Sequence, residues 1–320
     1  MTARRCHLRL ERYREDLRSE WNQTVREARN GLFFFEREFL DYHGSRFLDH
    51  SLMVYSGRKP MALLPAHREG DALVSHRGLP FSGWIVGPGL CLRHMEKCFL
   101  MLEEFLRAEK LRRLVVSPVP SPYARALCEE ELWCLRRLGA VEVRAMASVG
   151  MRAEDFRRLA SERRRRLLDA GAFLECRVVV SSDIRLHMER TAEFLHRRHQ
   201  ARPIHTAEEM EFIAAAFPRN VRIWEVWRGD RLVGGQLAFL MPHIVRPQHI
   251  FVCENAEPLG GAGVLNGAIL LRDEVRGSWW DFGTSMKPST GQLDSSLHEF
   301  KESHGGRIFV LQTYEWHLDS

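Results

Sequence analysis

The run VRIWEVWRGDRLVGGQLAFLMPHIVRPQHIFVCENAEPLGGAG, from Val221 to Gly263, decides the fold. Residues 221–227 and 232–241 carry the apolar and β-branched pattern of strands, turned by Gly229-Asp230, and a third apolar run covers 244–254. Gly260-Gly261-Ala262-Gly263 then breaks the pattern and opens an apolar helix expected to run to residue 276. Working outward, a basic helix at 154–170, a strand at 173–180 and helices at 184–199 and 207–217 come before it. A strand at 279–282, a helix at 292–303 and a strand at 307–316 come after.

The first half has the same order. A strand near 6–10 is followed by helices at 14–28 and 36–42, then strands at 51–55, 61–66 and 72–76 with turns at 56–59 and 69–71. A glycine-rich loop (78–89), a helix (92–110), a strand (113–116), a proline-rich turn (118–122), a helix (123–138) and a strand (141–149) complete it. Both halves read β-α-α-β-β-β-α-β-α-β. The expectation is an α/β (α+β) chain of two tandem modules, 1–150 and 151–320, each a mixed, mostly antiparallel sheet flanked by helices.

Composition agrees. At 320 residues the chain suits two domains, and 45% hydrophobic with 28% charged residues excludes a disordered one. No stretch approaches the ~18 apolar residues of a membrane span, and MTARRCHLRLERYRED lacks the apolar centre of a secretory signal. Seven cysteines, never spaced CxxC, read as reduced thiols of a cytoplasmic protein with neither a zinc site nor a disulfide scaffold. The net charge is +5, yet of 47 basic residues only Lys59, Lys97, Lys110, Lys287 and Lys301 are lysines, which makes each of them conspicuous.

This order, a three-strand meander followed by a glycine loop and helix, resembles the GNAT acyltransferase fold. A tandem pair resembles the FemAB/FemX-like branch of that superfamily. The segments GLFFFEREFLDYHG (31–44), RPIH (202–205), WDFGTS (280–285) and FKESHGG (300–306) carry the likeness, which extends over nearly the whole chain. Two departures stand out. The glycine loop has Glu257 where a basic residue or Gln is usual, and no long helical-hairpin insert is present, so the compact FemX-like layout fits better. The resemblance implies an acceptor-side first module and a donor-side, catalytic second module. No permanently bound cofactor is implied, only a co-substrate, aminoacyl-tRNA or acyl-CoA.

Amide formation from an activated acyl group needs alignment, a neutral amine and stabilisation of an oxyanion, but no covalent nucleophile. The chain has neither a G-x-S-x-G elbow nor a Cys–His signature, as direct transfer requires. Lys301 is the first catalytic candidate: the resemblance makes it the cation that stabilises charge on the donor or tetrahedral intermediate. Asp281, at a strand end, reads either as a proton acceptor or orienter of Lys301, or as an Asx turn capped by Gly283. His205 reads as a base or as a partly buried loop histidine. Gly260, Gly261 and Gly263 form a candidate phosphate cradle at a helix start. From 152 to 198 there are twelve arginines against eight acids, and Arg164 and Arg165 are the candidates to meet the donor's phosphate. Four consecutive arginines span about 300° of a helix, so they cannot all face one way. His76, Trp84 and Phe300 are candidate substrate-binding residues.

These readings point to an acyltransferase that joins an aminoacyl or acyl group to an amine, such as a cell-wall precursor or small metabolite. Aminoacyl-tRNA is slightly favoured as donor. An acyl-CoA-dependent N-acetyltransferase is the alternative, and a non-catalytic RNA- or anion-binding protein the second alternative.

Overall fold

The computed structural model describes residues 7–42, 44, 46–169, 173, 175–254, 256, 260–287 and 290–318. The chain forms two compact units, 1–146 with 310–320, and 147–309. The boundary expected at 150/151 thus falls inside a strand, and the chain's last strand belongs largely to the first unit.

In the first unit the elements are β1 (Leu8–Arg12), α1 (Arg18–Glu27), α2 (Arg37–Asp41), β2 (Leu48–Asp49), β3 (Leu52–Ser56), β4 (Lys59–Leu64), β5 (Ala66–Glu69), β6 (Ala72–Ser75), β7 (Ile85–Val86), α3 (Leu92–Ala108), β8 (Arg113–Val116) and α4 (Glu130–Arg137). β9 (Val141–Arg152) leads into the second unit, which adds α5 (Phe156–Leu159), α6 (Glu162–Asp169), β10 (Cys176–Ser181), α7 (Ile184–His199), α8 (Ala207–Ala216), β11 (Val221–Arg228), β12 (Arg231–Met241), β13 (Ile244–Val252), α9 (Gly261–Leu270), β14 (Trp279–Thr284) and α10 (Ser295–Glu302). β15 (Arg307–His317) closes the chain.

The second unit's sheet has the order β10-β11-β12-β13-β14-β9. All pairs are antiparallel except β13–β14. The first unit's strands run β1-β3-β4-β7 and β2-β5-β6-β8-β15, with β6–β8 parallel. The second unit therefore has the mixed, mostly antiparallel sheet and flanking helices expected, the first divides its strands between two mostly antiparallel sheets, and each unit buries its own apolar cluster. One is centred on Leu64, Trp84, Leu102 and Trp316, the other on Trp224, Ala238, Leu265 and Trp280.

Four local expectations are corrected. The basic helix of 154–170 is two short helices, because the Ser161 amide turns aside to donate to Ser303 O; its last expected residue, Ala170, lies outside the described residues. The helix of 123–138 begins only at Glu130, since the Arg125 amide donates to Arg29 O and holds the preceding segment extended. The strand of 61–66 divides at Pro65, which has no N–H to give a ladder, into β4 and β5 of different sheets. The helix from Gly261 stops at Leu270 and gives way to a 3-10 turn at Asp273–Val275. Cys6, in the first expected strand, also lies outside the described residues.

The second unit is organised around α9. Nine of its ten residues are buried, which marks a helix covered on all sides. The sheet lies under it, while Phe173 approaches Gly267 and Arg164 approaches Gly263.

Candidate active site

β13 and β14 pair only at Ile244↔Trp279 and Val245↔Trp280. Beyond that point a bulge interrupts β13: opposite it, Phe239 pairs with Arg246 and Leu237 with His249. Residues three apart on a regular strand face opposite ways, so it is the extra residue of the bulge that puts Arg246 and His249 on one face. Leu237 and Phe239 lie two apart on β12, which spaces the two β13 residues by roughly 7 Å along the sheet.

On β14, Trp280 and Phe282 pack with the core cluster, and Asp281 points to the other face. The Asp281 side chain is fully buried. Its Oδ1 accepts from Ser148 Oγ (3.0 Å) and from the Gly283 amide (2.8 Å), and its Oδ2 accepts from Arg246 Nη1 (2.7 Å). Gly283 has φ +78°, a left-handed value suited to glycine, so the Asx turn foreseen in the sequence is present.

α10 is capped by Asp294, which accepts from the Leu297 amide, and carries Lys301 in its last turn. Lys301 is 4% exposed, and its Nζ donates to the carbonyls of Gly283 (2.8 Å) and Thr284 (2.6 Å). Burial pushes its pKa down to about 8, with Arg246 adding to the effect and Asp281 opposing it. The turn that Asp281 organises is therefore the turn that holds the ammonium. The Asp281 carboxylate is committed to three donors and closed to solvent, an arrangement that suits the orienting alternative better than proton acceptance.

His205 precedes Thr206, which caps α8 in a capping box with Glu209. The His205 ring is half-buried, and its Nδ1 lies 3.0 Å from His249 Nε2. His249 is buried, and burial pushes its pKa down to about 3. From α7, His187 Nε2 donates to the His249 carbonyl (3.1 Å).

At the start of α9, Gly260 has φ +78° and Gly261 and Gly263 are buried. A Cβ on Gly263 would collide with the Arg164 guanidinium, so the arginine lies against the helix's first turn. Arg164 Nε donates to Ser303 Oγ (2.7 Å), and its guanidinium sits 5.2 Å from the centre of the Phe300 ring. Burial, with Arg163 nearby, pushes the Arg164 pKa down to about 10. Arg163, Arg165 and Arg166 are exposed, so only one of the four arginines faces inward. Arg165 does not join Arg164 there, because helical phase carries it to the solvent side. Glu257, Pro258 and Leu259 lie outside the described residues.

His76 and Trp84 are placed in the packed interior of the first unit. His76 is 7% exposed, with its ring 5.0 Å from Phe47 and 5.6 Å from His67. Trp84 is 1% exposed in the core cluster. Between them, the Ser82 amide donates to Ser117 O, and Ser75 Oγ donates to Ser82 O. This segment is stitched to the ends of β6 and β8, and the expectation that Trp84 contacts substrate is corrected by its burial. Arg246 and His249 stand beside these candidates although sequence reasoning passed over them; their one signal was the polar cluster Arg246, Gln248 and His249 interrupting an apolar strand.

Two such modules in one chain make a tandem GNAT fold. No family model matches the sequence, and no curated protein matches it. Among solved structures, FemX aligns over 96% of this chain and 97% of its own, with TM-score 0.65 and 11% identity. L-PGS from Bacillus licheniformis aligns over 94% and 91%, with TM-score 0.58 and 9% identity. A tandem GNAT protein from the clavulanic acid biosynthesis pathway aligns over 98% and 99%, with TM-score 0.53 and 14% identity. At these identities the likeness is one of fold.

Proposed function

We propose that this protein is an acyltransferase that forms an amide by passing an aminoacyl or acyl group from an activated donor to an amine. The observation that carries the reading is Lys301: a buried ammonium, fixed by two carbonyls beside the ion pair of Arg246 with the buried Asp281, on a fold shared with FemX. A preorganised cation in a water-poor site stabilises an oxyanion far better than one in solvent. In this reading Lys301 meets the charge that develops on the acyl oxygen, His205 takes the amine's proton, and Asp281 holds the turn that presents Lys301. The first turn of α9, through the backbone around Gly260, Gly261 and Gly263, receives the donor's phosphate together with Arg164, while Phe300 lines the same approach.

We favour aminoacyl-tRNA as donor, because the compact layout resembles FemX and the basic segment around α6 suits a nucleic-acid phosphate. The acceptor is an amine such as a cell-wall precursor or small metabolite. An acyl-CoA donor is the second reading, supported by the glycine turn at α9. No helix among the described residues is long and apolar enough to cross a membrane.

The test is product mass spectrometry with charged tRNA or acetyl-CoA and a panel of amines, alongside binding curves for both donors. Amide product from charged tRNA that is lost in Lys301→Ala supports the proposal. Tight acetyl-CoA binding with indifference to charged tRNA overturns the favoured donor, and full turnover by a folded Lys301→Ala overturns the site. Loss of function only on substitution of Arg164 and Arg165 would instead indicate a non-catalytic anion-binding protein.

A further inference from the structure

We propose that Ser303 is a positioning residue for Arg164: its hydroxyl holds Nε, so that the two terminal nitrogens of the guanidinium are presented to the donor's phosphate. The proposal rests on the reading of Arg164 as the partner of that phosphate.

The hydrogen bonds run in one direction. A guanidinium nitrogen only donates, so Arg164 Nε gives its proton to Ser303 Oγ (2.7 Å). A carbonyl only accepts, so the single hydroxyl proton of Ser303 goes to Phe300 O (2.6 Å). With Nε committed, the terminal nitrogens remain. Nη1 is the atom nearest to where a Gly263 Cβ would stand, with Nη2 beside it, so this end of the side chain lies along the first turn of α9. Among the described residues no ion pair joins Arg164 to a carboxylate, and the charge acting on it is that of Arg163, of the same sign. A partly buried cation with no anion of its own suits a ligand that brings one, and two parallel N–H groups match two oxygens of one phosphate.

The backbone supports the same contact. The Ser161 amide donates to Ser303 O (2.9 Å), and the Arg165 amide donates to Ser161 O (2.9 Å), so the start of α6 is tied to the end of α10. Gly305, at φ +99°, lies so close to Leu159 that a Cβ there would collide with it. Ser161 and Arg164 are one helical turn apart, and both end on Ser303, one at its carbonyl and one at its hydroxyl. These two attachments set the rotational phase of α6 and turn Arg164 inward while its three arginine neighbours stay exposed. A loose arginine loses rotamer freedom when it binds, and holding Nε beforehand removes part of that cost from donor binding.

Two measurements test this. Nitrogen-15 NMR without donor is expected to show an Arg164 Nε–H, assigned by its loss in Arg164→Lys, that exchanges slowly with water. Ser303→Ala keeps the carbonyl contact and removes only the hydroxyl; it is expected to speed that exchange by roughly tenfold, and Ser303→Thr to preserve the protection. In kinetics, charged tRNA and acetyl-CoA are varied in turn, which also tells whose phosphate is bound. Ser303→Ala is expected to raise the donor's KM by roughly threefold to tenfold with kcat little changed, and Ser303→Thr to restore it. Added to Arg164→Ala, it is expected to change nothing further. If Arg164→Ala raises KM but a folded Ser303→Ala does not, or if the two losses add in full, the positioning role is wrong. If Arg164→Ala itself leaves KM unchanged, the reading of Arg164 fails instead. Should Ser303→Ala not fold, exchange in the unsubstituted protein decides, and an unprotected Arg164 Nε–H overturns the proposal.

Discussion

Arg246 on β13 and Asp281 on β14 are joined at 2.7 Å just past the point where the two strands stop pairing. Side chains thus bridge a gap that the backbones have left. Removing Arg246 takes a charge-assisted donor from a fully buried carboxylate, and breaking such a pair costs about 3–5 kcal/mol. Arg246→Ala is expected to lower stability by that order in urea unfolding. Arg246→Ala with Asp281→Asn should recover part of the loss.

Lys301 is expected to set an alkaline limit on activity if the proposed role holds. Its pKa of about 8 lies below the ordinary lysine value, so the ammonium predominates at pH 7 and fades as pH rises through 8. A rate that depends on the cation is expected to fall on that limb. Lys301→Arg, charged throughout the range, should lack the limb whatever its absolute rate. For stability the sign is opposite: the unfolded chain keeps its proton to about 10.5. The burial penalty is therefore present below pH 8 and relieved between 8 and 10.5.

Arg164 should act on binding more than on chemistry. Arg164→Ala removes the guanidinium at the first turn of α9 and is expected to raise the donor's KM by roughly tenfold or more, with kcat little changed. Gly263→Ala pushes the same side chain away and is expected to give a similar, smaller effect in a folded protein. Steady-state kinetics with the donor varied distinguishes these outcomes.

Glu131, in the first unit, titrates with the fold. It is 5% exposed, accepts from the Trp84 amide, and burial pushes its pKa up to about 8. The native state thus holds a proton that the unfolded state releases near 4.5. The stability this contributes is complete below 4.5 and lost as pH rises through 8. Glu131→Gln is expected to flatten that decline, as read by thermal melts from pH 5 to 9.

The order of elements was legible because strand and helix periods, glycine turns and strand lengths recur in both halves. Lys301 stood out because lysine is rare here and stands in a recognisable run, but its burial against the Gly283 and Thr284 carbonyls was not readable from the letters. Asp281 was half legible, since an Asx turn and a proton acceptor share the same letters until the carboxylate's partners are known. The pairing of Arg246 with Asp281 and of His205 with His249 was not, because one inserted residue in β13 reverses which face each side chain takes. Helical phase on α6 selects Arg164 from its three neighbours only once α9 is in place. The aromatic loop around Trp84 shows the same limit: composition does not tell a ring that meets a ligand from one that fills a core.

The first unit is assembled from both ends of the chain, with the strand from Val310 pairing with β8 at Tyr314↔Val116 and Trp316↔Leu114. During synthesis, then, the half that begins first is finished last. All of 147–309 has been synthesised before the strand that covers β8 exists. Until then the first unit waits with an open apolar edge, an aggregation hazard for a nascent chain. A product truncated before residue 310 loses not a tail but one wall of the domain at its start.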